Sequence, residues 1–386
     1  MTHGDEGAAR TPAATRADPF ERFTTVIPAG GVGTRLWPLS RAKAPKFLHD
    51  LTGSGTTLIR GTYERMAPLT GAHVMVVTGE DHREAVRRQI PELDVEDLIL
   101  EPSPKDSAAA IGLAAAILAH RDPDMIMGSF AADQVIAPVD AFQDAVREAA
   151  ATAATGRIVT IGITPTYPST GFGYIRRGAQ LDVDGAPHAH QVDRFVEKPD
   201  EATAQRYVDS GDHLWNAGMF VAPVGLLLHH LRRTEPELHA GLTEIAEAWE
   251  AGDGSAEEVM ARVWPTLTST AIDYAVAEPA ADAGDVAVVP GDFTWDDVGD
   301  FAAIARLNPA EHEDAMTVLG EQARVYSDQS SGVVVSDTRR VVALIGVEDI
   351  VVVDTDDALL VTTTDHAQAV KQAVEALREK GDSDVL

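Results

Sequence analysis

The feature that most limits what this chain can become is a strand that runs straight into glycine. Thr24–Ile27 is β-branched throughout, and Pro28-Ala29-Gly30-Gly31-Val32-Gly33 follows directly. A β-branched run favours a pleated, buried strand. The glycines Gly30, Gly31 and Gly33 release the backbone into a tight turn whose N–H groups can approach an anion closely. The next stretch carries Arg35, Arg41, Lys43 and Lys46 with no acid among them. The whole chain has 31 Lys and Arg against 61 Asp and Glu, a net charge of −30. Against that background a local run of cations suits a polyphosphate.

Two other glycine loops are excluded. A P-loop needs Lys-Ser or Lys-Thr after its last glycine, but Thr34-Arg35 follows Gly33. The dinucleotide fingerprint G-x-G-x-x-G fits Gly31 and Gly33 but meets Leu36 at its third glycine. The string present is GGVGTRLWPLSR, followed by Pro45-Lys46. It resembles the signature of the sugar-1-phosphate nucleotidyltransferases, and within them that of the mannose-1-phosphate guanylyltransferases.

A chain of 386 residues with 45% hydrophobic residues is long enough for one large domain and a smaller one. Aromatics make up only 5%, too few for base-stacking platforms. The negative charge also repels nucleic-acid backbones and anionic membranes, so neither is expected as a partner. No cysteine is present, which removes disulfides, thiolate catalysis and thiolate-bound metal and fits a cytoplasmic location. Residues 1–20 lack an apolar h-region and read as a disordered extension rather than a signal peptide. No window reaches the ~18 apolar residues of a membrane span.

Strands and helices alternate from residue 21 to about 308: Thr24–Pro28, His73–Thr78, a helix over Asp81–Gln89, Lys105–His120 with Asp106 or Ser107 as N-cap, Asp124–Ser129, Ala141–Thr155 and Arg157–Ile163. This rhythm predicts an α/β, doubly wound, Rossmann-like sheet. Between 172 and 222 strands crowd together around a helix at Glu201–Ser210, as expected of a β-rich lid over the carboxyl edge. Helical segments then lead to a strand at Asp285–Val289 and a helix at Asp300–Leu307. From 309 to 386 short apolar runs recur without helices until a closing helix at Asp365–Lys380, which predicts a small β domain, either β-helical or a sandwich. The acid cluster Asp354-Thr355-Asp356-Asp357 lacks EF-hand spacing and reads as a solvated turn.

The resemblance extends over about residues 23–365 and implies roles for particular residues. It favours a short left-handed β-helix at the C-terminus. It assigns Ala29, Gly30, Gly31, Gly33, Thr34, Arg35 and Lys46 to the nucleotide, together with Asp106 and Ser107 at a helix N-terminus, where relatives often have Asn-Thr. Asp133, after a buried strand, and Asp297, in Thr294-Trp295-Asp296-Asp297-Val298-Gly299-Asp300, match the metal positions. Hard Mg²⁺, or Mn²⁺, prefers such carboxylates. Gln134 stands where relatives have His, and Asp296 where Asn is common, so Asp296 is expected to share the metal role in part. Glu197 and Lys198, in Phe195-Val196-Glu197-Lys198-Pro199, match the groups on sugar hydroxyls and sugar phosphate. Gly173 and Asn216 complete the sugar side, the amide offering both donors and acceptors.

The resemblance thus implies transfer of GMP from GTP to α-D-mannose 1-phosphate, with Arg35, Lys46 and Lys198 on the phosphates, and is compatible with a homodimer. Two alternatives stay open from the sequence. The base or sugar differs, as in a GDP-heptose, thymidylyl or uridylyl transferase. Or the chain is a silent GDP-mannose-binding regulator, against which stands the presence of Arg35, Lys46, Asp133 and Asp297.

Overall fold

The computed structural model describes residues 18–310 and 315–386. The extension expected over 1–20 lies outside the described residues as far as residue 17. Its last three residues belong to the fold, because Asp18 accepts the Phe20 N–H at 3.0 Å and starts a short turn, Pro19–Arg22.

That turn delivers β1 (Phe23–Ala29), buried along almost all its length. Burial on both faces is what a continuous β-branched run, rather than an alternating one, encodes. Next comes α1 (Leu58–Thr70), a helix the sequence reading did not anticipate. It contains Gly61 and Pro68, both poor helix formers, yet Thr57 caps it and Leu58, Ile59 and Met66 bury one face. β2 (Val74–Gly79), α2 (Arg83–Gln89) and β3 (Leu98–Glu101) follow, β3 being a four-residue edge strand too short to show a pattern. In α3 (Asp106–Arg121) every residue from Ala108 to Leu118 is buried, as an Ala-rich helix hydrophobic all round requires.

The chain continues through β4 (Ile126–Ser129), β5 (Val135–Ala137), α4 (Val139–Ala153), β6 (Ile158–Ile163), β7 (Gly173–Gln180) and β8 (His190–Val196). After α5 (Glu201–Ser210) come the long strand β9 (His213–Pro223), α6 (Val224–Thr234), α7 (Pro236–Ala251) and α8 (Ala256–Val263). A π-helical turn at Asp273–Ala277 runs into α9 (Glu278–Asp282), then β10 (Val286–Gly291), β11 (Thr294–Asp296) and α10 (Phe301–Leu307). Helices α3, α6 and α7 bury one face of the sheet and α4 the other. The packing is close: a Cβ on Gly112 of α3 would lie 2.8 Å from Leu242 of α7 and 3.0 Å from Leu231 of α6.

Nine strands form one sheet in the order β3-β2-β1-β4-β9-β6-β10-β8-β7. The first four are mutually parallel, and β9 runs antiparallel between β4 and β6. The segment expected as a separate lid is therefore part of the main sheet. Its physical reason is β9, whose residues Leu214–Ala217 and Met219–Ala222 are buried irrespective of parity, as in a central strand. A register shift between β6 and β9 interrupts the ladder beside Gly218, which has φ +68°. Beyond it, β9 also pairs with β7, Asn216 standing opposite Gly173.

Past residue 315 the chain winds through β12 (Met316–Leu319), β13 (Arg324–Asp328), β14 (Gly332–Ser336), β15 (Val341–Ile345), β16 (Ile350–Asp354) and β17 (Leu359–Thr363). Alternate strands stack in parallel, β12 on β14 on β16 and β13 on β15, while β17 returns antiparallel. Met316 opposes Gly332 and Gly332 opposes Ile350, giving β-helical coils of 16 and 18 residues. Val333, Val335, Val351 and Val353 fill the interior and pack with Leu36, Leu39 and Phe301 of the large domain. The closing helix α11 (Val370–Lys380) covers Trp37, whose indole N–H donates to the Val385 carbonyl at 2.7 Å.

The acid cluster of this domain is only in part a solvated turn, with Asp356 and Asp357 exposed and Asp354 not. Asp354 is fully buried and binds Arg340 and the Thr338 hydroxyl. Asp357 pairs with Arg41 of the cationic loop at 2.7 Å, and Thr355 accepts from the same guanidinium at 3.1 Å. Arg41 is thus spent on joining the domains.

Candidate active site

The glycine turn leaves the carboxyl end of β1. The Ala29 carbonyl accepts from the Thr78 hydroxyl of β2 at 2.8 Å, which anchors the turn's first peptide. Gly31 and Gly33 adopt φ of +84° and +71°, conformations that favour glycine. Nothing lies within 4 Å of a Cβ placed on Gly30 or Gly31, so the backbone faces open space. Gly33 has a second constraint: a Cβ there would meet the Lys46 side chain at 3.1 Å. Thr34 follows half-buried in a short turn, and Arg35 is exposed, with no hydrogen-bond or ion-pair partner among the described residues.

Lys46 points from this loop into a pair of acids. Its Nζ lies 2.9 Å from Asp133 Oδ2 and donates to the Asp297 carbonyl at 2.6 Å. The adjacency of Asp133 and Asp297 has a local cause. β5 begins two residues after Asp133, β11 ends one residue before Asp297, and the strands pair with Asp296 opposite Val135. Burial raises the Asp297 carboxyl above its usual range, Lys46 opposes that, and Asp296 and Asp133 raise it further. Clustered acids with one lysine call for a cation. No group of three or more His, Cys, Asp or Glu suited to a metal occurs among the described residues. Two carboxylates fit Mg²⁺, which takes its remaining ligands from water and phosphate oxygens.

The neighbours Asp296 and Gln134 both have contacts within the protein. Asp296 accepts the Val298 N–H at 2.8 Å and pairs with Arg306 at 3.2 Å, so each of its oxygens already has one partner. Gln134 is buried and donates from Nε2 to the Ala217 carbonyl at 2.8 Å. Its own carbonyl accepts from buried Arg65 at 3.1 Å, while Thr62 holds the Ala131 carbonyl at 3.2 Å. Gln134 therefore supplies a donor that fastens the Asp133 loop to β9.

A second cluster surrounds Asn216. Its Oδ1 accepts from the Thr160 hydroxyl at 3.0 Å and the Gly218 N–H at 3.2 Å, and its Nδ2 donates to Asp273 at 2.7 Å. Both acceptor positions and one donor are used, leaving one N–H for a ligand. This corrects the expectation of an amide free to donate and accept. A Cβ on Gly173 would sit 2.5 Å from Glu197 Oε2 and 3.3 Å from Asn216, so only glycine permits this approach. Glu197 is 8% exposed and pairs at 2.8 Å with Lys198, which is 56% exposed. That hydrogen bond raises the Lys198 pKa.

At the start of α3 neither expected residue is the N-cap. Lys105 precedes the helix, Asp106 has φ +65° and accepts only the adjacent Ser107 N–H, and the Ser107 hydroxyl accepts from Ile272 N–H at 2.9 Å. The Ala108 N–H is likewise taken by the Thr270 carbonyl at 3.1 Å. The dipole end remains, but Ser107 serves the 270–272 segment.

Two acids received no role from the sequence. Glu101 ends β3 at the same edge of the sheet as the glycine turn. It is buried, its Oε1 has no partner among the described residues, and burial pushes its pKa up to about 7. The available signal was one acid closing an apolar run, Leu98-Ile99-Leu100-Glu101. Asp273 is raised to about 6 by burial and by Glu197. It lay inside what reads as an ordinary helix.

The chain is similar to known proteins over both of its domains. Residues 24–314 match the nucleotidyl transferase family, and residues 324–377 match the mannose-phosphate isomerase/GMP-like β-helix domain. The chain is 37% identical over 369 residues to the xanthan biosynthesis protein XanB of Xanthomonas campestris pv. campestris, covering 93% of this chain and 74% of that protein. It is 38% identical over 368 residues to the mannose-1-phosphate guanylyltransferase of Escherichia coli, covering 92% and 73%. A crystal structure described as mannose-1-phosphate geranyltransferase from Thermus thermophilus superposes with a TM-score of 0.80 at 32% identity, covering 92% of this chain and 99% of that one. The chain belongs to the mannose-1-phosphate guanylyltransferases within the nucleotidyl transferase family.

Proposed function

We propose that the protein transfers GMP from GTP to α-D-mannose 1-phosphate, releasing pyrophosphate, and works in the cytoplasm. The observation that carries this reading is the placement of Lys46 between Asp133 and Asp297 under an open glycine turn. Phosphoryl-type transfer depends mainly on positioning and charge neutralisation. An oxygen of the sugar phosphate attacks the α-phosphorus in line, the bond to the β-phosphate oxygen breaks, and pyrophosphate leaves. Arg35 and Lys46 hold the triphosphate and stabilise the departing pyrophosphate. Lys198 takes the incoming phosphate, and Glu197 and the remaining Asn216 N–H take hydroxyls. A divalent cation, Mg²⁺ or Mn²⁺, bound by Asp133 and Asp297 would supply further neutralisation between the two phosphate groups.

Guanine is supported by Glu101. Guanine presents N1–H and N2–H donors along one edge, and a buried carboxyl with an unpartnered oxygen is suited to receive them. Pyrophosphate release measured across GTP, UTP and dTTP with mannose and glucose 1-phosphates tests the assignment. GTP with mannose 1-phosphate is expected to be the preferred pair, and Glu101→Gln to raise the KM for GTP at least tenfold. Faster turnover of another pair by the wild type would overturn the guanylyl-mannose reading.

A further inference from the structure

The Asn216 amide cannot accept a hydrogen bond from a sugar, because Thr160 and Gly218 already occupy its oxygen. The acceptor side of the pocket must come from elsewhere. Glu197 supplies one carboxylate. Asp273 supplies another: its Oδ1 holds Asn216 at 2.7 Å, and its charge is felt by both Glu197 and Lys198.

Two local features fix Asp273 there, and a third makes its charge costly. The preceding residues are pinned to the start of α3 by the Ala108–Thr270 and Ile272–Ser107 hydrogen bonds. Asp273 opens the π-helical turn Asp273–Ala277, a rare element found frequently at functional sites. Burial and the nearby Glu197 hold its carboxyl up at about 6, so keeping an acid there is costly to the fold.

We propose that Asp273 is a specificity-determining residue of the acceptor pocket, a second carboxylate that receives a sugar hydroxyl while it fixes the orientation of Asn216. The inference rests on the sugar-phosphate reading of the same site. Two acids and one donor N–H lie together with Lys198, which is paired with Glu197 at 2.8 Å. Carboxylates suit vicinal hydroxyls and the exposed ammonium suits the phosphate, so the side chains sort the two parts of the substrate by chemistry. The class recognised is a polyol bearing a single phosphate.

The test compares wild type and Asp273→Asn on mannose 1-phosphate and its monodeoxy analogues at saturating GTP, with KM for GTP and melting temperature measured alongside. Asparagine keeps an oxygen for Asn216 and removes only the charge. KM for mannose 1-phosphate is expected to rise at least tenfold, KM for GTP to stay within twofold, and melting temperature not to fall. One monodeoxy analogue, penalised in the wild type, should lose most of its penalty in the variant, which a purely structural residue would not bring about. An unchanged sugar KM overturns the inference. So does a rise in both KM values together with a lower melting temperature. Asp273→Ser serves as the second variant if asparagine prevents folding. If wild type prefers a different sugar 1-phosphate, the same analogue series built on that sugar still reads Asp273, separating its failure from that of the mannose assignment.

Discussion

Lys46→Met should move cation binding and turnover in opposite directions. Lys46 Nζ sits 2.9 Å from Asp133 Oδ2, and the two side chains are only 13% and 21% exposed. At an effective dielectric of about 20, charges at that distance attract by roughly 6 kcal/mol gross. Desolvation of both ions offsets most of this. A divalent cation binding to Asp133 must displace the lysine and forgo what remains. If that residue is on the order of 1–2 kcal/mol, removing the lysine strengthens cation binding about five- to thirtyfold. Methionine preserves the stem that packs against Gly33, so the loop should keep its shape.

Turnover should fall all the same. A preorganised donor aimed at developing phosphate charge contributes about 3–4 kcal/mol, or 10²–10³ in kcat. Calorimetric titration of nucleotide-free protein with Mn²⁺ measures the first effect, and pyrophosphate release at saturating cation measures the second. Weaker cation binding in Lys46→Met would refute the competition, since it would make the lysine a support for the metal site rather than its rival. Turnover close to wild type would refute the role at phosphate.

Two further outcomes follow from long-range contacts. Arg41→Ala and Asp357→Asn should each lower the melting temperature, and the double variant should lower it no further than the worse single one, because both remove the same interdomain pair; additive losses would show that the pair is incidental. For Asp273, a folded pKa of about 6 against an unfolded value near 3.8 means ionisation opposes folding above about pH 6, and the penalty fades as pH falls through 6 towards 4. Asp273→Asn should therefore be more stable than wild type at pH 7.5 by roughly 1–3 kcal/mol, with the gap closing near pH 4; a gap independent of pH in denaturant melts would contradict this.

What was legible in the sequence was local. The strand–glycine turn at Thr24–Gly33, the alternation of strands and helices, and α5 at Glu201–Ser210 are set by residues within a few positions of one another. What was illegible depended on pairing across the chain. Asp133 and Asp297 meet through β5 and β11, strands of three residues that carry no readable period. Arg41 looks like one more phosphate ligand until Asp357, 316 positions away, is placed beside it. Asp354 and Asp357 look alike in sequence, yet one is fully buried on Arg340 and the other is half-exposed. Charge can be read from a residue's name, but burial cannot.

A chain with a net charge of −30 must still bind two anionic substrates, and screening explains why it can. At physiological ionic strength the Debye length is about 8 Å, so the diffuse surface charge is weak at the range where a phosphate meets its ligands. Contacts within a few ångströms decide binding, and there Arg35 follows the glycine turn unpaired among the described residues, while Lys46 and Lys198 are paired with Asp133 and Glu197. The same reasoning predicts how salt acts on encounter. Long-range repulsion slows the approach of GTP at low ionic strength, and moderate salt relieves it before it weakens the close contacts. Association of GTP should therefore speed up between about 10 and 100 mM salt, opposite to the trend of a protein that steers its anionic ligand with net positive charge. Stopped-flow association rates measured across that range decide the point, and a rate falling steadily with salt would mean that the local cations dominate even the distant field.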